Sequence, residues 1–280
     1  MKLASFKADG RTGFGIVTGP SDDQIIDLSG CWPTLRAALP DVMAGNLKEV
    51  AKNAPVLPLS SVTLDTPVPD ADKILCGGLN YKLHLAEGGF DIPEFPSFFL
   101  RVHNSFSAHG EPIIKPNWSD DFDYESEFAL VIGRGGRNIS TASAMGHVAG
   151  YTLMMDGSVR DVQMKHSLTG GKNFYKSGAI GPWMVTTDEI PDPTKLVLTG
   201  RLNGEIRQHA PISDLLFDVA ALVAYMSTLT ELVPGDIIST GSPAGVGFAL
   251  KPPRYMKVGD VFEVEVPGIG VLRNPVAADS

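Results

Sequence analysis

Short apolar runs, separated by polar or glycine-containing turns, dominate the chain after residue 72. Those with the length and side-chain types of β-strands are KILCGG, SFFLRV, YESEFALVI, HVAGYTLMM, GPWMVTT, LVLTGRLNG, GDIIST and DVFEVEVPG. Asn203-Gly204 separates two extended segments, and this dipeptide is a strong signal of a two-residue hairpin turn. The pattern predicts a protein built largely from strands.

Helical periodicity is confined to a few segments. Residues 214–229 have an apolar stripe at helical spacing, which predicts a long helix capped by Ser213 with Asp214 in its first turn. Before residue 70, TLRAAL and DVMAGNLKEVAKNA are helix candidates, the second capped by Asp41, and GFGIV and QIIDL are strand candidates.

The order of the elements predicts an α+β fold dominated by β-strands. Strands and helices do not alternate along the chain, so a doubly wound or barrel architecture is disfavoured. Residues 1–70 are predicted to form a small N-terminal α+β domain, and residues 71–280 the main domain. The proline-containing segment VLPLSSVTLDTPVPDAD is interpreted as the connection between them.

Composition narrows the range of partners and compartments. The net charge is −9, and no block of Lys or Arg suggests a surface for nucleic acid. Cys31 and Cys76 are far apart and form no CxxC pair, which favours buried thiols in a reducing compartment over a disulfide framework. The N-terminus lacks a signal-peptide core, and no apolar run is long enough to span a bilayer. We therefore expect a cytoplasmic protein without a membrane partner.

Two carboxylates interrupt the apolar strand predicted between Tyr124 and Ile132. Side chains alternate along a strand, so Glu125 and Glu127 share one face, and their apolar neighbours are typical of a strand covered on both faces. Burying two unpaired carboxylates is costly, so they need Arg or Lys partners or one divalent metal. The alternative is an edge strand with both carboxylates in solvent.

A third carboxylate favours the buried interpretation. Asp156 ends the apolar run HVAGYTLMMD, and an acid at a strand end can meet acids on a neighbouring strand. Three carboxylates form an all-oxygen site that suits Mg²⁺ or Mn²⁺, with Ca²⁺ also possible, better than Zn²⁺. Downstream, Arg160, Gln163 and Lys172 form a polar cluster suited to an anionic substrate and a developing enolate.

These residues together resemble the fumarylacetoacetate hydrolase family. The family pattern is Glu-x-Glu, an Asp in an NDxSxRD stretch, and GKxF; the corresponding segments here are ESE, MDGSVRD and GKNF. Further similar segments, in the same order, are GLNYKLHLAE, GPWMVTTDEIPDP, LNGEIRQ, LVPGDIISTGSPAGVG and GDVFEVEVPGIGVLRN. The resemblance covers roughly residues 70–274 and implies a mixed β-sandwich roll, a divalent metal and a homodimer.

The resemblance also implies roles for particular residues. It makes Glu125, Glu127 and Asp156 metal ligands, and it assigns substrate and enolate binding to the following residues: Arg160, Gln163, Lys172 and Ser242. His84 and Glu87 are similar to a His-x-x-Glu pair on a lid, in which the carboxylate orients the imidazole for general-base work on water. The glycine- and proline-rich GGFDIPEFP that follows is consistent with a hinged lid.

Some positions differ from the family pattern close to the expected pocket. Met155 stands where relatives usually have Asn, and Gly157 and Val159 also differ. Arg101-Val102-His103 replaces a Lys-Pro-Pro stretch. We therefore predict that Arg101 and His103 bind a second carboxylate of a dicarboxylic substrate.

The resemblance implies an enzyme that hydrolyses a C–C bond in a small 2-oxo or diketo acid of the acylpyruvate type, such as fumarylpyruvate or maleylpyruvate. Three different reactions would use the same site: oxaloacetate decarboxylation, isomerisation or decarboxylation of a hydroxymuconate-type diacid, and hydrolysis or dehydration of a 2-keto-3-deoxy sugar acid. A non-enzymatic alternative is a metal-stabilised binding protein. That protein would need the carboxylates but not His84, Glu87 and Lys172.

Overall fold

The computed structural model describes residues 1–279. Its strands are β1 (Lys2–Ala8), β2 (Arg11–Thr18), β3 (Gln24–Asp27), β4 (Val56–Pro58), β5 (Thr63–Leu64), β6 (Ile74–Gly78), β7 (Ser97–Arg101), β8 (Phe106–Ser107), β9 (Ile113–Lys115), β10 (Phe122–Asp123), β11 (Ser126–Ile132), β12 (Val148–Met155), β13 (Ser158–Val159), β14 (Gly178–Thr186), β15 (Val197–Leu202), β16 (Glu205–Pro211), β17 (Ile237–Ser239), β18 (Val261–Val266) and β19 (Gly270–Ala278). Its α-helices are α1 (Leu35–Ala44), α2 (Leu47–Ala51), α3 (Lys82–Gly88), α4 (Thr141–Ala144), α5 (Arg160–Lys165), α6 (Leu168–Lys172) and α7 (Val219–Leu229). Short 3₁₀ turns lie at Leu59–Ser61, His103–Ser105, Met145–His147, Pro193–Lys195, Ile212–Asp214 and Gly247–Ala249.

The strands form one large mixed sheet and two smaller sheets. The large sheet has the order β4-β3-β2-β1-β14-β12-β11-β17-β6-β7, with β5 added to β1 and β8 to β14. A five-stranded sheet has the order β16-β15-β18-β19-β9, and β10 pairs with β13. The prediction of a β-dominated α+β fold is confirmed.

The N-terminal strands are part of the large sheet. β1 pairs with β14, so the strands before residue 70 are hydrogen-bonded to the strands of the main segment. The division into domains of residues 1–70 and 71–280 therefore stays a prediction. Strands from both segments belong to the same large sheet.

Strand β11 lies at the centre of the large sheet and is covered on both faces. Phe128, Leu130 and Ile132 contribute to one apolar cluster, and Ala129 and Val131 contribute to a second cluster. All five side chains have no exposed surface. The alternative of an edge strand is therefore wrong, and an acid on this strand is removed from solvent.

The helix predicted over residues 214–229 begins later than expected. α7 starts at Val219 and is capped by Asp218, whose carboxylate accepts a hydrogen bond from Ala221 N at 2.8 Å. Ser213 lies in a 3₁₀ turn instead. The helix does not extend back because Asn80 binds the intervening backbone, accepting from the N–H groups of residues 216 and 217 at 2.9 and 2.8 Å.

The N-terminal helices also differ in their boundaries. The end of TLRAAL and the start of DVMAG form the single helix α1, which is capped by Thr34. Asp41 lies inside that helix, where its carboxylate accepts hydrogen bonds from Trp32 and Asn46. Asp41 is therefore not the predicted cap. It binds one side chain that precedes α1 and one that follows it.

The remaining local predictions agree with the structure or need one correction. β15 and β16 form the predicted hairpin, with Asn203 and Gly204 at φ +54° and +81°, the left-handed backbone that this turn requires. Both cysteines are free; Cys76 is buried, but Cys31 is exposed, contrary to expectation. No helix within residues 1–279 combines the length and the apolar character that crossing a membrane requires.

Candidate metal centre and active site

Three carboxylates meet where β11 begins and β12 ends. The antiparallel register places Ser126 opposite Met155, and the backbone N–H of Asp156 donates to the carbonyl of Glu125 at 2.9 Å. Glu125 precedes the strand by one residue rather than lying inside it. One oxygen from each of Glu125, Glu127 and Asp156 lies within 4.8 Å of the others. The pairing of two neighbouring strands thus produces the predicted cluster.

Lys172 is the cation shared by two of these acids. Its Nζ lies 2.8 Å from Glu125 Oε2 and 2.7 Å from Asp156 Oδ2, and the side chain is almost completely buried. Burial lowers the pKa of Lys172, but the charges of Asp156 and Glu125 outweigh this effect and raise the pKa above its ordinary value. The amine is therefore held as an ammonium ion inside the cluster.

Arg160 contacts two acids of the site and the side chain of Gln163. Its Nε donates to Asp123 Oδ2 at 2.8 Å, its Nη2 lies 2.7 Å from Glu125 Oε1, and its Nη1 donates to Gln163 Oε1 at 2.9 Å. Burial raises the pKa of Glu125, but the charges of Lys172 and then Arg160 outweigh it and hold that pKa at about 2. Phe248 lies against the guanidinium, 4.5 Å from ring centroid to Cζ.

Asp123 is a site residue that the sequence analysis missed. It has no exposed surface, and besides Arg160 it accepts hydrogen bonds from the backbone N–H groups of Gly247 and Phe248 at 2.8 and 3.0 Å. Its position two residues before Glu125 was a usable signal, because alternate residues of an extended chain share a face. Asp123 therefore links the Arg160 guanidinium to the turn that contains Phe248.

Glu127 differs from the other two acids because no cationic side chain in residues 1–279 forms an ion pair with it. The carboxylate is 1% exposed and accepts a hydrogen bond from the Ser239 hydroxyl. Burial, together with the charges of Asp156 and Glu125, raises its pKa well above the ordinary value. Lys172 and the Ser239 hydroxyl therefore do not outweigh the burial of Glu127 and the repulsion from the two neighbouring acids.

This arrangement fits a divalent cation. Asp123, Glu125, Glu127 and Asp156 supply four buried carboxylates, against three buried cationic side chains, Arg101, Arg160 and Lys172. The three converging acids offer only oxygen ligands, which Mg²⁺, Mn²⁺ and Ca²⁺ prefer. A divalent ion at Glu127 would supply the missing positive charge.

Arg101 and His103 do not lie where the sequence analysis placed them. Arg101 points into the core, where its guanidinium donates to Asp156 Oδ1 and, at 2.8 Å, to Ser177 Oγ. His103 Nε2 lies 2.7 Å from the carbonyl oxygen of Ala71. Neither residue lines the cavity described below. In this structure, Arg101 orients Asp156 from outside the cavity.

Replacing Arg101 with methionine is expected to lower the free energy of unfolding of the metal-free protein by about 3–5 kcal/mol, because Asp156 loses one of its two buried cationic partners. Chemical denaturation measures this change. The matched control is Arg137→Met on the surface, for which we expect a change within about 0.5 kcal/mol. Equal stability of the two variants would contradict the assigned role.

Glu87 links α3, the predicted lid helix, to the loop that follows Ser242. His84 Nδ1 lies 2.8 Å from Glu87 Oε1 on α3, and Glu87 Oε2 accepts a hydrogen bond from Gly245 N at 2.9 Å. Gly245 has φ +107°, and a Cβ there would lie 1.9 Å from the carbonyl oxygen of Arg207, so only glycine fits. Glu87 therefore both orients the imidazole and attaches the lid to the loop that follows Ser242.

A cavity of about 220 Å³ connects these parts. Predicted residues that line it are Glu125, Glu127, His84, Lys172, Arg160, Gln163 and Ser242. Ser242 Oγ accepts a hydrogen bond at 2.7 Å from Gln208 Nε2, and Gln208 Oε1 accepts one at 2.8 Å from the N–H of Ser126. Gln208 was not singled out in the sequence. It is completely buried and connects the cavity wall to β11.

The fold and the cavity together give a β-dominated protein with a small internal site next to three converging carboxylates. The chain belongs to the fumarylacetoacetate hydrolase family, because the family model described as "Fumarylacetoacetate (FAA) hydrolase C-terminal" matches residues 73–277. The predicted resemblance and enzyme class are thereby confirmed. The alternative of a non-enzymatic binding protein finds no support.

Individual relatives extend along almost the whole chain. The mitochondrial oxaloacetate tautomerase FAHD2A of Homo sapiens is 35% identical over 288 residues, which covers 99% of this chain and 91% of that protein. The crystal structure of 5-carboxymethyl-2-hydroxymuconate delta-isomerase from Mycobacterium smegmatis is 31% identical, with a TM-score of 0.82 and complete coverage of both chains. Maleylpyruvate hydrolase from Sphingobium sp. SYK-6, solved with manganese(II) and pyruvate, is 27% identical, with a TM-score of 0.82 and complete coverage of both chains.

Proposed function

We propose that this protein is a divalent-metal-dependent hydrolase that cleaves a C–C bond in an acylpyruvate. The observation that carries the proposal is one cavity lined both by the oriented His84 and by the cluster of Glu125, Glu127 and Lys172. The cavity thus combines a general base with groups that stabilise an enolate.

The metal site is part of the proposal. Glu125, Glu127 and Asp156 would hold the ion, Mg²⁺ or Mn²⁺ with Ca²⁺ also possible, as the manganese-bound maleylpyruvate hydrolase supports. When bound, such an ion supplies a chelation site for the 2-oxo acid and polarises its oxo group.

His84 acts on the hydrolytic water. Its Nδ1 is engaged by Glu87, which keeps the proton on that nitrogen and leaves Nε2 free to accept a proton. Nε2 takes one proton from water while the water oxygen bonds to the acyl carbon. The bond from that carbon to the pyruvate methylene then breaks, and its electron pair forms the enolate of pyruvate. Transfer of that proton from His84 Nε2 to the enolate carbon completes the reaction, which yields a carboxylic acid and pyruvate and restores the neutral imidazole.

The remaining polar residues bind and stabilise. Lys172 offers the N–H that is not engaged by Glu125 and Asp156, and this donor would stabilise the enolate oxygen. Gln163 and Ser242 line the cavity and would hold the substrate carboxylate, together with the positive field of Arg160.

A second candidate function is tautomerisation of oxaloacetate. The 35% identity to the human oxaloacetate tautomerase, over nearly the full length of both proteins, favours it. This reaction moves a proton between carbon and oxygen of the same 2-oxo acid unit and needs the same enolate-stabilising groups. Oxaloacetate decarboxylation, hydroxymuconate isomerisation and sugar-acid cleavage would draw on these groups as well.

We also propose a homodimer and a cytoplasmic location, as the family resemblance and the composition imply. Titration with Mg²⁺, Mn²⁺ and Ca²⁺ identifies the preferred metal, and sedimentation equilibrium measures the oligomeric state. The fumarylpyruvate and maleylpyruvate substrates that the resemblance suggests are the first members of the class to assay.

The loss of His84 tests the proposed function. His84→Asn is expected to lower kcat for acylpyruvate cleavage by about 10²–10⁴-fold, because the general base is removed. Loss of diketo-acid absorbance, with pyruvate determined as product, measures the rate. Metal affinity is expected to stay unchanged, because His84 is not among the three converging acids.

His166→Asn, on the exposed surface beyond α5, is the matched control for this substitution. Wild-type protein with Mg²⁺ or Mn²⁺ that cleaves no acylpyruvate but interconverts the keto and enol forms of oxaloacetate would contradict the hydrolase proposal. The proposed function would then be that of an oxaloacetate tautomerase.

A further inference from the structure

Gln208 is a buried polar residue between the large sheet and the five-stranded sheet. It lies on β16, where its neighbour His209 is exposed, but its own side chain has no exposed surface and contacts Ser126 at the start of β11. The sheets approach closely at this point, because a Cβ on Gly200, which pairs with Gln208 in β15, would overlap Ser126 Oγ. A buried amide needs hydrogen-bond partners within the protein, so the fold decides which partners Gln208 has.

The partners of Gln208 determine which way its amide faces. Oε1 accepts a hydrogen bond from the backbone N–H of Ser126 at 2.8 Å, and Nε2 donates one to the carbonyl oxygen of Pro243 at 2.7 Å. A backbone N–H can only donate and a carbonyl oxygen can only accept, so the reversed amide would lose both bonds. The second N–H of Nε2 is directed at Ser242 Oγ, also at 2.7 Å. The Ser242 oxygen is therefore an acceptor for Gln208.

The hydroxyl hydrogen of Ser242 must then point elsewhere. Within residues 1–279, the acceptor recorded for it is the carbonyl oxygen of Pro243 at 3.5 Å, which is long for a hydrogen bond between two oxygens. Gln208 already donates to that carbonyl at a much shorter distance. Ser242 lines the cavity. Its hydroxyl hydrogen is thus left for an acceptor inside the cavity.

We infer that Gln208 is a positioning residue that fixes Ser242 as a hydrogen-bond donor to the carboxylate of the 2-oxo acid. The inference rests on the proposed function, which places that carboxylate at Ser242. A donor that is already oriented loses little conformational freedom when it binds an anion. The same amide holds the N–H of Ser126, the residue between two of the three converging acids, so it also fixes Ser242 relative to the metal centre.

A double-mutant cycle tests whether Gln208 acts through Ser242. Gln208→Met keeps the approximate volume and frees the Pro243 carbonyl, to which the Ser242 hydroxyl can then donate. Wild type, Gln208→Met, Ser242→Ala and the double variant are each saturated with Mn²⁺ and titrated with pyruvate. We expect each single variant to raise the Kd of pyruvate about tenfold or more, as for the loss of a hydrogen bond to a charged group. The double variant should bind no more weakly than Ser242→Ala.

Two further measurements separate positioning from a structural role. Gln208→Met leaves the N–H of Ser126 without its partner, so we expect a lower unfolding temperature with either residue at position 242. In acylpyruvate cleavage, Gln208→Met should raise KM and leave kcat unchanged, because the lost bond serves substrate and transition state alike. The matched control is Gln24→Met, on the exposed side of β3, which should leave the Kd of pyruvate unchanged.

The outcomes separate the inference from the function beneath it. A double variant that binds pyruvate about tenfold or more weakly than Ser242→Ala overturns the inference, as does wild-type affinity in Gln208→Met. Wild-type protein that binds no pyruvate removes the carboxylate site and the inference together. Wild-type protein that gives the expected cycle but cleaves no acylpyruvate contradicts the hydrolase and leaves the role of Gln208 intact.

Neutron diffraction tests the inference without any substitution and therefore decides it even where Gln208→Met does not fold. In a crystal of the deuterated wild type with Mn²⁺ and pyruvate, we expect deuterium on Gln208 Nε2 directed at Ser242 Oγ. The deuterium on Ser242 Oγ should point to the pyruvate carboxylate. A hydroxyl deuterium directed at Gln208 or at the Pro243 carbonyl would overturn the inference.

Discussion

Replacing Glu127 with glutamine is expected to abolish divalent-metal binding while leaving the metal-free protein at least as stable as the wild type. Glu127 is a buried carboxylate that accepts a hydrogen bond from Ser239 and forms no ion pair within residues 1–279. Glutamine retains an oxygen that accepts from Ser239 and removes a charge that the protein alone does not compensate. We expect metal affinity to fall by more than about 100-fold, since even residues behind a metal ligand contribute 10- to 100-fold.

The comparison with Asp156→Asn makes this prediction specific. Asp156 pairs with Arg101 and Lys172, so neutralising it leaves two buried cations with fewer partners. Its free energy of unfolding without metal is expected to fall by about 3–5 kcal/mol. Isothermal titration with Mn²⁺ measures binding, and denaturation in EDTA measures stability. If the two variants lose stability equally, Glu127 is not the uncompensated acid of the cluster.

Replacing Lys172 with methionine is expected to damage both catalysis and stability. The ammonium ion is shared by Glu125 and Asp156, and its third N–H is left to donate to an enolate oxygen. We expect kcat/KM to fall by about 10²–10³-fold, as for the loss of an oxyanion donor. The free energy of unfolding without metal should fall by about 3–5 kcal/mol, because two buried carboxylates lose a partner.

Added metal distinguishes the two roles of Lys172. Saturating Mn²⁺ should raise the unfolding temperature of Lys172→Met by more than that of the wild type, because the ion replaces part of the missing positive charge. It should not restore kcat/KM, because the donor to the enolate is still absent. The matched control is Lys165→Met on the exposed side of α5, for which neither quantity should change. Full recovery of activity with Mn²⁺ would show that the ammonium acts through charge alone.

The sequence was most informative where strand periodicity and motif order act together. The uninterrupted apolar run FALVI in this strand predicts that it is covered on both faces, and this leaves Glu125 and Glu127 in need of compensation. Asp156 follows from the same reasoning, because it ends the strand that pairs with β11. The large β content and the hairpin at Asn203 also follow from local patterns.

Contacts between distant segments were not predictable in the same way. Arg101 reaches Asp156 across 55 positions of the chain, and only the folded arrangement of β7 beside α6 decides that it points inward. Asp218 rather than Ser213 caps α7 because Asn80, far away in sequence, binds the backbone between them. The partner of a buried charge depends on which distant groups the fold brings together. The local pattern of apolar and polar residues does not contain this information.

The contact between Glu87 and Gly245 has a consequence for inhibitor design. This hydrogen bond joins α3, the predicted lid helix, to the loop after Ser242, and His84 of α3 and Ser242 both line the cavity. If α3 moves as the predicted lid, we expect opening of this contact to add a step to ligand release and to lengthen the residence time of a bound ligand. Compounds designed for this enzyme should therefore be ranked by dissociation rate as well as by equilibrium affinity.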